Sequence, residues 1–491
     1  MIRTLAFALL LAFAAPARAQ QALPEAVGSA WGFDRSDLTP HPGVRFGVLP
    51  NGMRYALMRN GSPAGALSVR LHIDAGSSVE GAKEQGFMHM LEHLIFHGSA
   101  NLPEGSLPLM LKHQGLRRWT DFNAYTSFDE TVYLLDLSRS DTRARETALT
   151  LMHEIAVNLR FDRKAVEGAK KMIRDEIRAR DAVNDRLTEA QQRFFLPGTS
   201  LAGGSVAGME KSIARASGET LQRLYAHHYV PERATLVMVG DFDPNTAEEE
   251  IWARFSGWSA RADAADHRPM PVSLPRRSGI EARLFVDPAA PTAVTIAAVE
   301  PLPGGADAGR RRDRQFLELM ASEMLNRRLA RRAADPKATL VKAESMIYNP
   351  FPNVRLARVE VKAADRDWRG ALEAGSDELR RALEQGFSQA ELNEQLIAMR
   401  PKERGLVQRT PALADAIVDA VERRLVFTEP ADPAATVAYL AQIKLEDVNA
   451  AFRAAWAVPG RLIFVSHNRR IPNAAAAVAA AFSNGAGDRA F

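Results

Sequence analysis

The chain of 491 residues contains no cysteine. Disulfides, iron–sulfur clusters and thiolate zinc sites are therefore excluded, and any metal must be held by histidine and carboxylate side chains. The absence also suits an oxidising compartment, where a free thiol is a liability. Charge of one sign is nearly absent in net terms, with 63 Lys and Arg against 59 Asp and Glu. The densest basic run, Arg310-Arg311-Arg312 with Arg314, is interleaved with Asp313 and not with aromatic residues. A nucleic-acid surface needs more positive charge and stacking rings, so no nucleic-acid partner is expected. Beyond the N-terminus no stretch reaches the roughly 18–20 apolar residues of a membrane-spanning helix, so no stable membrane insertion is expected either.

What is present begins with an export signal. Arg3 supplies a basic start, Thr4 to Ala15 an apolar run, and Ala17-Arg18-Ala19 a small-x-small cleavage site. Residues 1–19 read as a signal peptide and the expected location is the bacterial periplasm.

Two α+β domains follow from the pattern of elements. Val44 to Met58 reads as a hairpin around Pro50-Asn51-Gly52, and Ala66 to Ala75 alternates apolar and polar residues as a half-buried strand should. Helices are expected over 104–113, 141–159 and 163–194, and strands over 119–127, 131–137 and 234–239. Order recurs further along. The strand Thr292 to Val299 repeats the alternation of Leu67 to Ile73 at an offset of about 227 residues, and Val458-Pro459 before a strand repeats Val230-Pro231 at 228. Two landmarks agreeing on one offset predict a duplicated domain, each copy a mainly antiparallel sheet with packed helices. The predicted boundaries are an N-terminal domain over 43–256, a linker over 257–280, a C-terminal domain over 281–470 and a tail over 471–491.

One short run carries chemistry. His89-Met90-Leu91-Glu92-His93 lies on a predicted helix, where positions 89 and 93 share a face and two imidazoles can bind one metal ion. Glu92 points near the same spot without being forced to ligate, so it suits a general base beside the water that a zinc ion activates. The order is H-x-x-E-H. Two histidines leave zinc short of protein ligands, so a third is required. The counterpart helix of the second domain, Gln315 to Leu329, has no histidine, which assigns chemistry to one half and surface-shaping to the other.

The run from Gly86 to Gly98, together with Asn123-Ala-Tyr-Thr-Ser-Phe-Asp-Glu-Thr-Val-Tyr133 and Tyr229 to Asp241, resembles the pitrilysin/insulinase family of zinc peptidases. The resemblance implies a zinc-dependent endopeptidase with one zinc ion per chain, held by His89, His93 and a glutamate on a later long helix. Glu176, 83 residues after His93, fits that place, with Glu167 as runner-up. It implies Glu92 as the base, and Asn123 and Tyr125 on a strand beside an unfolded peptide or small protein substrate. It implies a chamber completed by a second copy or a related chain, as a homodimer or heterodimer. The sequence departs from the family at two places. Ala169 stands where a second glutamate is expected. The substrate-gripping arginine–tyrosine pair of the non-catalytic domain has no evident counterpart: Arg327, Arg328, Arg331 and Arg332 are available, but the tyrosine position falls near Leu340, and Tyr348 lies too late. These departures leave a second reading, a non-catalytic peptide-binding or assembly subunit of a heterodimer.

Overall fold

A computed structural model describes residues 24–103, 121–179, 181–202, 210–260, 272–400, 409–429 and 433–486, with a few single residues between. The expected export signal, most of the helix expected over 104–113 and much of the expected linker lie outside the described residues.

The first half is built on a six-stranded sheet of β1 (Val44–Val48), β2 (Arg54–Arg59), β3 (Leu67–Ile73), β4 (Phe122–Thr126), β5 (Thr131–Leu137) and β6 (Ala234–Gly240), in the order β1-β2-β6-β3-β5-β4. Within it β2 and β6 run parallel; the other neighbouring pairs are antiparallel. Its helices are α1 (Phe87–Leu94), α2 (Thr142–Val157), α3 (Arg163–Ala179), α4 (Ala182–Phe195), α5 (Gly218–His228) and α6 (Pro244–Phe255). The helical pattern over 163–194 is two helices, because Asp181 turns its carboxylate onto the Val183 and Asn184 N–H groups and starts a new one.

The second half repeats the plan. Strands β7 (Gly279–Val286), β8 (Ala293–Pro301), β9 (Leu340–Phe351), β10 (Val354–Ala363) and β11 (Gly460–His467) form a sheet in the order β7-β11-β8-β10-β9. It matches the β2-β6-β3-β5-β4 part of the first sheet strand for strand. The parallel pair again involves the last strand of the sheet, here β11 with β7. The helices used below are α7 (Gly309–Ala333), α8 (Trp368–Glu384), α9 (Thr410–Glu422), α10 (Leu445–Trp456) and α11 (Ala474–Ala486). Helix α7 occupies the position between β8 and β9 that α1 occupies between β3 and β4. Near the C-terminus, α11 buries Val478 and Phe482 in the second core.

Strand β3 differs from its expected half-burial: all seven residues are buried. Leu67, Val69, Leu71 and Ile73 enter the core shared with α1 and α2, as the alternation requires. The polar face is covered too, because α9 of the second half lies across it with Leu413, Ala414, Ile417 and Val418. Two of the buried polar groups face carboxylates. Arg70 binds Asp136 of β5 and Asp415 of α9, and His72 lies 3.1 Å from Glu130. The exchange is reciprocal, since α4 of the first half lays Phe194 and Phe195 against Phe464, Leu462 and Ala297 of the second sheet.

Candidate metal centre

Helix α1 is short and completely enclosed, with all eight residues buried. A buried helix start needs partners for its free N–H groups. Gly86, at φ +90°, turns the chain into the helix but has no side chain to offer. Glu80 supplies the carboxylate instead, accepting from Gly86 N at 2.8 Å and Met88 N at 2.7 Å. Burial pushes its carboxyl up to about 8, against the pull of those N–H groups. The apolar residues Met88, Leu91 and Leu94 fix the helix in the core, which leaves His89, Glu92 and His93 no freedom to turn to solvent.

His89 Nε2 and His93 Nε2 lie 3.1 Å apart. Helix α3 crosses α1 and brings Glu176 to both, with Oε2 3.4 Å from His89 Nε2 and Oε1 3.3 Å from His93 Nε2. Its buried stripe of Val166, Ala169 and Ile173 points Glu176 to the same side one turn on. Close approach of the two helices is possible because residue 168 is glycine: a Cβ there would lie 2.3 Å from the His97 ring. His97 thus packs against α3 in the turn that ends α1.

Zinc bonds of about 2.0–2.1 Å in a tetrahedral shell place neighbouring ligand atoms ~3.3 Å apart. The three separations of 3.1, 3.3 and 3.4 Å fit that spacing. A carboxylate and two imidazole nitrogens at such distances form a donor set suited to a divalent cation. Among the described residues, His89, Glu92 and His93 also cluster closely enough to hold an ion. Glu92 is nevertheless the outer member, with its nearer oxygen 4.0 Å from His89 Nε2. That oxygen, Oε2, accepts a 2.7 Å hydrogen bond from Thr126 Oγ1 at the end of β4. Burial pushes the Glu92 carboxyl up to about 7; the nearby His93 and the Thr126 hydroxyl pull it down, and Glu176 adds to the rise.

The remaining sequence-predicted residues fall in less central places. Glu167 points away on α3, ion-paired with Lys170 at 2.8 Å. Ala169 is fully buried in the first core and itself offers no carboxylate to the histidine pair. On β4, Phe122, Ala124 and Thr126 face α1, so Asn123 and Tyr125 face the other side of the strand. Asn123 is exposed, whereas Tyr125 packs with the cluster beneath α9. Thr126 and Glu80 were not singled out by sequence reasoning. A threonine three residues after an asparagine on a strand carries no signal until the strand is set against α1.

The arginines of α7 are committed within the second half. Arg328 grips Glu391 through two nitrogens and lies over the Phe387 ring, Arg331 binds Glu394, Arg332 binds Glu378, and Arg327 binds Gln395. Leu340 is buried, and Tyr348 carries the Arg358 guanidinium 5.8 Å above its ring.

Comparison with known proteins decides the family. The family model described as Insulinase (Peptidase family M16) matches residues 55–202, and that of the Peptidase M16 inactive domain matches residues 215–399. The chain belongs to peptidase family M16. Its relatives include "Probable zinc protease PqqL" of Haemophilus influenzae, 29% identical over 202 residues, and of Escherichia coli, 29% identical over 226 residues. These stretches are 41% and 46% of this chain but only 22% and 24% of the relatives. The stromal processing peptidase of rice is 29% identical over 262 residues, 52% of this chain and 20% of that protein. In fold, the chain superposes on the first half of the periplasmic protease PqqL from Escherichia coli with a TM-score of 0.78 at 22% identity, covering 92% of this chain and 99% of that half. Against complete PqqL it covers 51% of the structure. The two sheets with their helices are thus two M16-type domains, and the chain spans about half of that complete M16 protease.

Proposed function

We propose that this M16 chain is a zinc-dependent endopeptidase that cleaves unfolded peptides or small proteins, with zinc held by His89, His93 and Glu176. The observation that carries the reading is the separation of roles among four buried or half-buried groups. The two imidazole nitrogens lie 3.1 Å apart, each with one Glu176 oxygen at 3.3–3.4 Å, while Glu92 stands back at 4.0 Å, held by Thr126. When bound, zinc would supply Lewis acidity to the attacking water and the scissile carbonyl.

The protein's own groups do the rest. Glu92 takes a proton from the attacking water as the water oxygen bonds to the peptide carbon. It then delivers that proton to the leaving nitrogen as the carbon–nitrogen bond breaks. His89 and His93 are fixed by the enclosed helix, so little reorganisation accompanies the reaction. An extended substrate has a place to lie. Among the described residues β4 is the edge of its sheet, and that edge, where Asn123 is exposed, would pair with a peptide main chain.

Export and assembly complete the proposal. Residues 1–19 would direct the chain to the periplasm, where PqqL of Escherichia coli is described as a protease. Since this chain matches one half of PqqL, the other half of the chamber would come from a second copy or a related M16 chain. The second reading, a non-catalytic binding or assembly subunit, draws on the apolar site at Ala169 and on the internally paired arginines of α7.

The test is zinc content and cleavage of a quenched, unstructured peptide library by wild type and Glu92→Gln. Zinc in both with cleavage only by wild type is the expected result. Zinc in both with cleavage by neither, with or without a related chain, would favour the binding subunit. A wild type that takes up no zinc on reconstitution would end the catalytic reading.

A further inference from the structure

We propose that Thr126 is a positioning residue for the reaction, holding one oxygen of Glu92 so that its free lone pair is directed at the histidine pair. The proposal rests on the peptidase reading above and adds to it a residue on a different element from the H-x-x-E-H helix.

The geometry is specific to one oxygen. Thr126 Oγ1 donates to Glu92 Oε2 at 2.7 Å, and the same Oε2 is the oxygen 4.0 Å from His89 Nε2. A carboxylate oxygen has two acceptor sites, so the hydroxyl occupies one and leaves the other for the reacting proton. The terminal torsion of a glutamate is soft, and without a partner the carboxylate would swing. With the hydroxyl in place the plane of the carboxylate is set, in a side chain that is almost wholly buried.

The hydroxyl is itself well fixed. Thr126 ends β4 and pairs directly with Thr131 of β5, whose own hydroxyl is anchored on Ala75 O at 2.9 Å. Its β-branched side chain has few rotamers on a strand. Two and four residues earlier on the same face, Ala124 and Phe122 pack into the core that holds α1. The placement has a consequence. The strand at the edge of the described sheet is also the strand that orients the base, so a peptide paired with β4 would lie beside it.

The experiment compares wild type, Thr126→Val, Thr126→Ala and Thr126→Ser as full chains loaded with zinc. Zinc content, thermal midpoint, kcat and KM on a quenched unstructured peptide are measured. Binding of an uncleaved peptide is measured in Glu92→Gln and in the Glu92→Gln/Thr126→Val double variant. The expected result for the Val and Ala substitutions is retained zinc, an unchanged KM and a kcat lowered about 10- to 100-fold, the rate equivalent of one charge-assisted hydrogen bond. Serine should restore most of kcat, and the two proteins carrying Glu92→Gln should bind the peptide equally. Val and Ala variants that cleave at the wild-type rate would overturn the proposal. So would a rise in KM at constant kcat, or weaker peptide binding by the double variant, since Thr126 would then touch substrate. If the Val variant alone fails to fold, the Ala and Ser variants still decide. Failure of the wild type to cleave any peptide overturns the peptidase reading first, and this proposal with it.

Discussion

Arg70 Nε lies 2.8 Å from Asp415 Oδ1, joining the centre of β3 to a helix 345 residues further along the chain. The guanidinium is almost wholly enclosed and also binds Asp136 through two nitrogens. The two carboxylates more than offset its burial and hold it charged. A buried cation on the polar face of β3 would be costly alone; with α9 in place it becomes a clamp between the two M16 domains.

Removing either side of this clamp should have unequal effects. Arg70→Ala leaves two carboxylates facing one another and a void, and should cost roughly 3 kcal/mol or more. Asp415→Ala leaves the Asp136 pair intact and removes a partly exposed partner, so about 1–2 kcal/mol is expected. Equilibrium urea unfolding measures both, and equal losses would contradict the clamp.

Zinc affinity should separate Glu176 from Glu167. Glu176→Gln removes the anionic donor beside both histidines and should lower affinity by at least about 10-fold. Glu167→Gln breaks its pair with the buried Lys170, away from the histidines, and should leave zinc binding unchanged. Competition with a coloured zinc chelator reads out both proteins; a larger effect at position 167 would refute the assignment of Glu176.

Acid should destabilise the fold through His228. Burial, followed by nearby Arg233 and His227, pushes this imidazole down to about 4 from the usual 6.5. The folded chain therefore binds fewer protons than the unfolded chain between those values. The associated stability is complete above about pH 6.5 and is lost as pH falls towards 4, a change of order 1–3 kcal/mol. His228→Gln should flatten stability over this window; an unaltered pH profile in urea unfolding would refute the argument.

Gly168→Ala should destabilise, against the usual preference of about 1 kcal/mol for alanine inside a helix. The new methyl would lie 2.3 Å from His97 Cε1, and the ring sits at the packed junction of α1 and α3. A net loss of roughly 1–2 kcal/mol is expected, with weakened zinc binding as α3 shifts and carries Glu176 away. A thermal midpoint at or above the wild type would show that His97 moves aside freely.

The sequence determined what repeats and which histidines stand together. Alternation of apolar residues placed β3 and β8, because side chains on a strand have a period of two whatever surrounds them. The helical period put His89 above His93, and the landmarks at 230 and 458 exposed the duplication that the matching strand orders of the two sheets bear out. These are local properties, fixed by backbone geometry. The tertiary structure alone decided which faces are covered and which distant groups meet. β3 reads as half-exposed, yet α9 buries its polar side, since Ser68, Arg70 and His72 carry no mark of the aspartate 345 residues away. Thr126 reads as an ordinary strand residue until β4 is laid beside α1. Likewise the place of Glu176 came through family likeness and not through spacing. Its distance to the histidines is set by how closely α3 can approach at Gly168, and packing of that kind depends on shapes that residue order does not record.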